Sequence, residues 1–183
     1  LKAAKDYYQD LLAKFKENYP RAYELNFGKD TKPEVKTNIT INGGDLISTN
    51  GVGMYLPQRN SNTVINGGNI KINTVDDCIN AASSIVINEG KLYCMATGND
   101  AMDSNGTLII NGGTIFVSGA NAPEGGFDCD MSSNFTITGG ILIGIGGSNT
   151  TPSTNNTKQA TLIYSATLNT NQLFTITDAN GNH

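Results

Sequence analysis

From residue 37 onward, apolar and polar residues alternate in short runs broken by glycine-rich turns, and the pattern recurs at a nearly fixed interval. The stretch Thr37-Asn38-Ile39-Thr40-Ile41-Asn42-Gly43-Gly44 returns with variation around Asn66-Gly67-Gly68, Asn88-Glu89-Gly90, Asn111-Gly112-Gly113 and Thr138-Gly139-Gly140. The first glycine of the turn, or Glu89 in its place, falls at 43, 67, 89, 112 and 139, so the steps are 24, 22, 23 and 27 residues. A period in the twenties with period-2 alternation is the mark of a solenoid. The leucine-rich signature is missing and almost nothing after residue 37 has helical spacing, which leaves a parallel β-helix.

The alternation assigns positions within each coil. Before the turn, Ile41, Ile65, Ile87, Ile110 and Ile137 form one inward column, with Ile39, Thr63, Ile85, Leu108 and Phe135 two residues earlier. After it, Leu46, Ile70, Leu92, Ile115 and Leu142 begin a second inward strand. Asn42, Asn66, Asn88 and Asn111 fall at the bend, where an internal asparagine ladder is expected to satisfy turn backbone groups. A third segment aligns on Met54, Ile79, Met102 and Phe127, in steps of 25, 23 and 25, and gives each coil a third side.

The first 36 residues follow another rule. Ala4, Tyr8, Leu11, Leu12, Phe15 and Tyr19 recur at helical spacing among lysines and acids, and Pro20 ends the pattern. An amphipathic helix over 3–18 is expected to cap the solenoid, followed by an irregular connector to residue 36. The organisation is thus a cap over 1–36 and one all-β domain over 37–183, a single-stranded right-handed parallel β-helix with coils of about 22–27 residues.

Composition narrows the function classes. Residues 1–36 hold eight of the twelve Lys and Arg, leaving 37–183 with four basic against ten acidic groups, a net of −6. That balance lacks the basic footprint of a nucleic-acid binder, and no apolar run reaches the length of a membrane span. No signal peptide is visible and the chain opens on Leu1, as expected of a processed or excised piece. The one histidine is His183, so neither a histidine base nor a histidine zinc site is on offer. Cys94 aligns with inward Ile72 and Val117 and is expected to be a buried hydrophobe, and Cys78 and Cys129 lie two coils apart, too far for a disulfide. Five Asn-x-Ser/Thr sequons, at Asn38, Asn105, Asn134, Asn149 and Asn155, are near the number chance gives in so Asn- and Thr-rich a chain.

The combination of Asp-x-(Ile/Met)-(Asn/Asp) with Thr107-Leu108-Ile109-Ile110-Asn111-Gly112-Gly113-Thr114-Ile115 resembles a family of secreted bacterial carbohydrate-binding β-helices. The stretches Val75–Cys94 and Gly98–Gly119 carry the likeness, with the tail from Thr161-Leu162-Ile163-Tyr164 to Asp178-Ala179-Asn180-Gly181-Asn182. It covers roughly residues 37–182, and the helical N-terminus departs from it. The resemblance implies a pectate-lyase-like fold, calcium, and association with cellulose or acidic plant polysaccharides, in a secreted or cell-surface protein.

Stacking brings acids together. Equivalent residues of adjacent coils lie about 4.8 Å apart, which places Asp77 and Asp100 in one column and Asp103 and Asp128 in a neighbouring one, with Asn80 below them and Asp76 and Asp130 flanking. Carboxylates this close raise one another's pKa unless a cation intervenes, and hard oxygen ligands suit calcium. The same residues can instead form a solvated acidic edge or cap turn amides. Gly125 ends the first column, so few sites are expected.

A second column, Ile47, Lys71, Tyr93, Phe116 and Ile143, points outward from the strand after the glycine turn. Aromatic faces there suit sugar rings, with Lys71, Tyr93 and Phe116 as the carbohydrate-binding candidates; alternatively the tail 144–182 folds across and buries the column. The expected function is non-catalytic, calcium-assisted binding of cellulose or polygalacturonate. The alternatives are a protein-interaction module of a surface or cellulosome-like scaffold protein and a calcium-dependent polysaccharide lyase. A lyase would need Lys71, Lys91 or Arg59 as base beside the acidic columns, and no repeat position puts them there.

Overall fold

Every coil turns its corner on a glycine that no other residue replaces cheaply. Gly68, Gly90, Gly113 and Gly140 hold φ of +100°, +116°, +93° and +96°, the left-handed region where a Cβ is strained. The space is closed too: a Cβ on Gly68 would lie 2.7 Å from the Gly44 carbonyl oxygen, and one on Gly113 2.8 Å from that of Gly90. The repeated glycine of the sequence is therefore a packing requirement between stacked corners as well as a turn requirement.

The structure, a computed structural model, describes residues 38–49 and 53–166 together with Asp10, Ala13, Lys14, Glu17, Asn18, Thr175, Thr177, Asn180 and Gly181. The first coil is β1 (Asn38–Ile41), β2 (Asp45–Thr49) and β3 (Met54–Leu56); the second is β4 (Asn62–Ile65), β5 (Asn69–Thr74) and β6 (Ile79–Ala81). The third comprises β7 (Ser84–Ile87), β8 (Lys91–Ala96) and β9 (Met102–Ser104), the fourth β10 (Thr107–Ile110), β11 (Thr114–Ser118) and β12 (Phe127–Cys129). A fifth begins with β13 (Phe135–Ile137) and β14 (Ile141–Ile145). Their parallel pairing builds three sheets, A in the order β1-β4-β7-β10-β13, B in the order β14-β11-β8-β5-β2, and C in the order β12-β9-β6-β3. The chain is an all-β parallel solenoid, and the pairing follows the register of the repeat, with Ile41 opposite Ile65 and Ile87 opposite Ile110.

Alternation decides what is inside. Ile65, Ile87 and Ile110 of sheet A, Ile70, Leu92 and Ile115 of sheet B, and Ile79 and Met102 of sheet C are all buried in one core. Cys94 is buried among them as expected, and Cys78, Cys94 and Cys129 are all free thiols. The first coil is less enclosed, with Ile39 and Ile41 only partly buried and Leu46 exposed. Of the expected N-terminal helix, Asp10, Ala13, Lys14, Glu17 and Asn18 are helical and exposed, with Lys14 Nζ 2.8 Å from Asp10 Oδ2. The remainder of 3–18, the connector to residue 36, and any capping contact they make lie outside the described residues.

The asparagine ladder forms, but on the other side of the wall. Asn66 donates to Asn42 at 2.8 Å, Asn88 to Asn66 at 2.7 Å and Asn111 to Asn88 at 2.8 Å, and Thr138 closes the row on Asn111 at 2.7 Å. Asn42, Asn66 and Asn111 are exposed. The expectation of an internal ladder is corrected: each asparagine follows an inward isoleucine by one residue, and strand alternation turns it out.

One inward position is chemically mismatched. Thr63 occupies the column of Ile39, Ile85, Leu108 and Phe135, fully buried, and its Oγ1 has no hydrogen-bond partner. An unmet buried hydroxyl costs about 1–3 kcal/mol, while valine keeps the shape. We expect Thr63→Val to raise unfolding stability by about 1 kcal/mol with an unchanged denaturant slope, read by urea titration; a loss of stability would mean the hydroxyl is satisfied.

Candidate functional site

The acidic columns arise where sheet C meets the bend before it. In each three-residue strand of sheet C the middle side chain points out, so Tyr55, Asn80, Asp103 and Asp128 form one register-aligned row. Two residues ahead of each strand, Asp77 and Asp100 stack in a second row, continued by Gly125 in the next coil. These carboxylates are nearly enclosed, Asp77 at 8 % and Asp100 at 7 % exposure.

An amide joins the rows. Asn80 Nδ2 donates to Asp77 Oδ2 at 2.8 Å and to Asp103 Oδ2 at 2.5 Å. The second oxygens, Asp77 Oδ1 and Asp103 Oδ1, are buried with no hydrogen-bond partner. Asp100 Oδ1 accepts the Gly125 N–H of the next coil at 2.5 Å, and Thr150 Oγ1 donates to Asp128 Oδ1 at 3.0 Å. Asp100 thus caps a turn amide. Asp76 and Asp130 are exposed on the margins, Asp76 accepting from Asn99 Nδ2 at 2.8 Å.

Burial is the main electrostatic force on this cluster. It pushes the Asp103 carboxyl up to about 7, reinforced by repulsion from Asp77, Asp128, Asp130 and Glu124. Burial also carries Asp100 up to about 7, opposed by the Gly125 N–H and aided by Asp128 and Glu124. Asp77 is raised by burial and by Asp76, against the lowering effect of the Asn80 amide and the Asp100 backbone. Glu124 is the member that repeat analysis missed; its one sequence signal is its place just before Gly125 in the Asp77–Asp100 column.

Calcium requires about six to eight oxygens converging on one point. Among the described residues no three Asp, Glu, His or Cys side chains are grouped to hold a metal ion. Asp77 Oδ1 and Asp103 Oδ1 are the carboxylate oxygens left without a hydrogen-bond partner, while the Oδ2 atoms of the same two groups are tied together through Asn80.

The outward column of sheet B is aligned as the repeat implies: Ile47 opposite Lys71, Lys71 opposite Tyr93, Tyr93 opposite Phe116 and Phe116 opposite Ile143. Tyr93 is 49 % exposed, Ile47 and Ile143 are also exposed, and the Tyr93 and Phe116 ring centroids are 6.5 Å apart at an interplanar angle of 36°. The described tail does not cover this face. It runs along the end of the solenoid instead, with Thr150 N donating to Phe127 O at 2.9 Å, Ser153 N to Phe135 O at 2.7 Å and Lys158 N to Ile137 O at 2.8 Å. Beside the column, an open groove crosses the glycine corner, lined by Asn69, Glu89, Lys91 and Thr114. Lys71 and Lys91 therefore sit on sheet B while the acids sit on sheet C, and Arg59 lies in the turn before β4. The structure does not bring these bases to the carboxylates, on which, among the described residues, the only charged groups acting are other acids.

The acid cluster gives a signed pH response. Carboxyls raised above their usual range hold protons in the folded state that the unfolded chain has released, so stability is full below about pH 4 and falls as pH rises toward about 7. Replacing Asp103 by Asn removes one such group while keeping its shape. At pH 8, D103N is expected to unfold at higher urea, by about 1 kcal/mol after solvent screening of the part-exposed cluster, and at pH 4 to differ little. A variant that is weaker than the parent at pH 8 would contradict the electrostatic account. No family model, curated protein or solved structure matches the chain.

Proposed function

We propose that the protein is a non-catalytic extracellular module that binds a plant cell-wall polysaccharide along the outer face of sheet B. The observation that carries this reading is the outward column of exposed Tyr93 and half-buried Phe116 between Lys71 and Ile143, on a parallel sheet. Aromatic and aliphatic side chains in a line offer apolar area to the faces of successive sugar rings. The adjoining groove supplies what the ring edges need, with Asn69, Glu89, Lys91 and Thr114 able to hydrogen-bond hydroxyls. An apolar strip beside a polar groove matches the two-sided chemistry of a pyranose.

The charge of the solenoid bears on which glycan is held. A net of −6 over 37–183 repels a polyuronate, so a neutral chain such as cellulose binds without help, while polygalacturonate binds only with a divalent cation between the two acids. Calcium belongs to this proposal in that second case alone, as a bridge supplied with the glycan.

Retention on insoluble cellulose and on polygalacturonate, in calcium and in excess chelator, tests the reading. We expect retention on cellulose in both buffers and on polygalacturonate in calcium only. Tyr93→Ala and Phe116→Ala should each weaken retention about tenfold or more while leaving the fold intact. A folded sample retained on neither glycan would overturn the proposal and turn attention to a protein partner for the same face.

A further inference from the structure

Among the described residues the last strand of sheet B has no strand on its far side, and the chain approaches it with a matching segment. β14 ends the order β14-β11-β8-β5-β2. Its outward isoleucines Ile141, Ile143 and Ile145 are all exposed, Ile141 at 68 %. A terminal strand with apolar side chains and free backbone groups is a template for another strand. In a parallel ladder alternate residues bond to opposite neighbours. Ile141 N donates back toward β11, to Gly113 O at 2.9 Å, so Leu142 and Gly144 direct their backbone groups to the open side.

The tail arrives in register with that edge. At the corner between sheets A and B, Asn88 N donates to Ile65 O, Asn111 N to Ile87 O, and Thr138 N to Ile110 O, at 2.7, 2.7 and 2.8 Å. Lys158 N makes the same bond to Ile137 O at 2.8 Å, which places Lys158 at the position of Thr138 one coil on. Counting forward from there, Thr161 falls opposite Ile141, Leu162 opposite Leu142, Ile163 opposite Ile143, Tyr164 opposite Gly144 and Ser165 opposite Ile145.

The ladder nevertheless stops. In each earlier coil the first residue of the sheet B strand donates to the corner glycine below it: Asn69 to Gly44, Lys91 to Gly68 and Thr114 to Gly90, all at 2.8 Å, then Ile141 to Gly113. The next acceptor, Gly140 O, is taken by a side chain, Gln159 Nε2 at 3.0 Å. Beyond it Leu162 and Tyr164 stand 70 % and 69 % exposed, with no strand structure across 161–166.

We infer that the open edge of β14 is a strand acceptor whose occupant is the chain's own segment Thr161–Ser165, held off by the Gln159 amide on Gly140 O. Docking exchanges that side-chain bond for Thr161 N to Gly140 O, Leu142 N to Thr161 O, Ile163 N to Leu142 O and Gly144 N to Ile163 O. It turns Leu162 and Tyr164 over the end of the core and adds Ile163 to the column of Phe116 and Ile143, so the same step closes an aggregation-prone edge and lengthens the outer face of sheet B. The short tether from the anchored Lys158 favours this occupant over a strand from a second molecule. The inference rests on backbone register and is independent of what that face binds.

Residue-resolved amide exchange by NMR tests it. In Gln159→Ala, where the competing donor is gone, the Leu142 and Gly144 amides should exchange about tenfold or more slowly than in Gln159→Ala carrying Ile163→Pro, which cannot donate to Leu142 O. Both substitutions lie at sites outside the regular strands, and the amides of β8 and β11 report that the solenoid is intact. Equal exchange in the two variants would overturn the inference. So would slowing that grows with protein concentration, since that result assigns the edge to a second copy.

Discussion

The backbone ladder between successive coils is the constraint on which the rest of the structure depends. Once the chain advances one sheet spacing per turn, every residue finds its equivalent about 4.8 Å above and below it, whatever its chemistry. Stacking that suits isoleucine also stacks asparagine, aspartate and glycine. The ladder Asn42–Asn66–Asn88–Asn111 turns this to advantage, because an amide both donates and accepts and so can bond up and down the row. At the glycine corners the same closeness leaves no room for a Cβ, which is why the turn is the least variable part of the repeat.

For carboxylates the same geometry is costly. Asp77, Asp100, Asp103 and Asp128 are held near one another by a ladder that their own charges oppose. Asn80 relieves part of the conflict by standing in the acid row with an amide that reaches two carboxylates at once, and Gly125 relieves another part by ending its column and offering an N–H. What remains raises the hold of Asp100 and Asp103 on their protons, so the cluster makes the fold sensitive to pH on the face opposite in character to sheet B. The two faces of one solenoid thus differ in kind, one acidic and tied by side-chain hydrogen bonds, the other aromatic and open.

A solenoid also has ends, and those ends carry its unmet valences. The fifth coil lacks a strand on sheet C, and the tail supplies its bonds there irregularly, Asn149 Oδ1 accepting the N–H groups of Gly126 and Phe127 at 2.9 Å each. Inside, Phe127 and Phe135 pack with centroids 5.6 Å apart and fill the last layer. Among the described residues sheet B has no such closure at β14, whose outward isoleucines are exposed, whereas Val64, Val86 and Ile109 on the outer face of sheet A are half-buried.

The repeat by itself determined the architecture of this protein. Period-2 alternation and a period of 22–27 residues are enough to name the inward columns, pair Ile41 with Ile65 and Ile79 with Met102, and align Asp103 with Asp128, because in a parallel coil sequence register and spatial register are the same thing. Thr63 was legible as an inward residue, but not as an unpartnered one. Only the tertiary structure decided matters that break the repeat. That the described part of the tail follows the end of the coils and leaves Tyr93 open, that Glu124 joins the acids, and that Gln159 bonds the Gly140 carbonyl all depend on irregular segments. Such segments have no periodic signal, and their course is set by which end groups of the solenoid still lack partners.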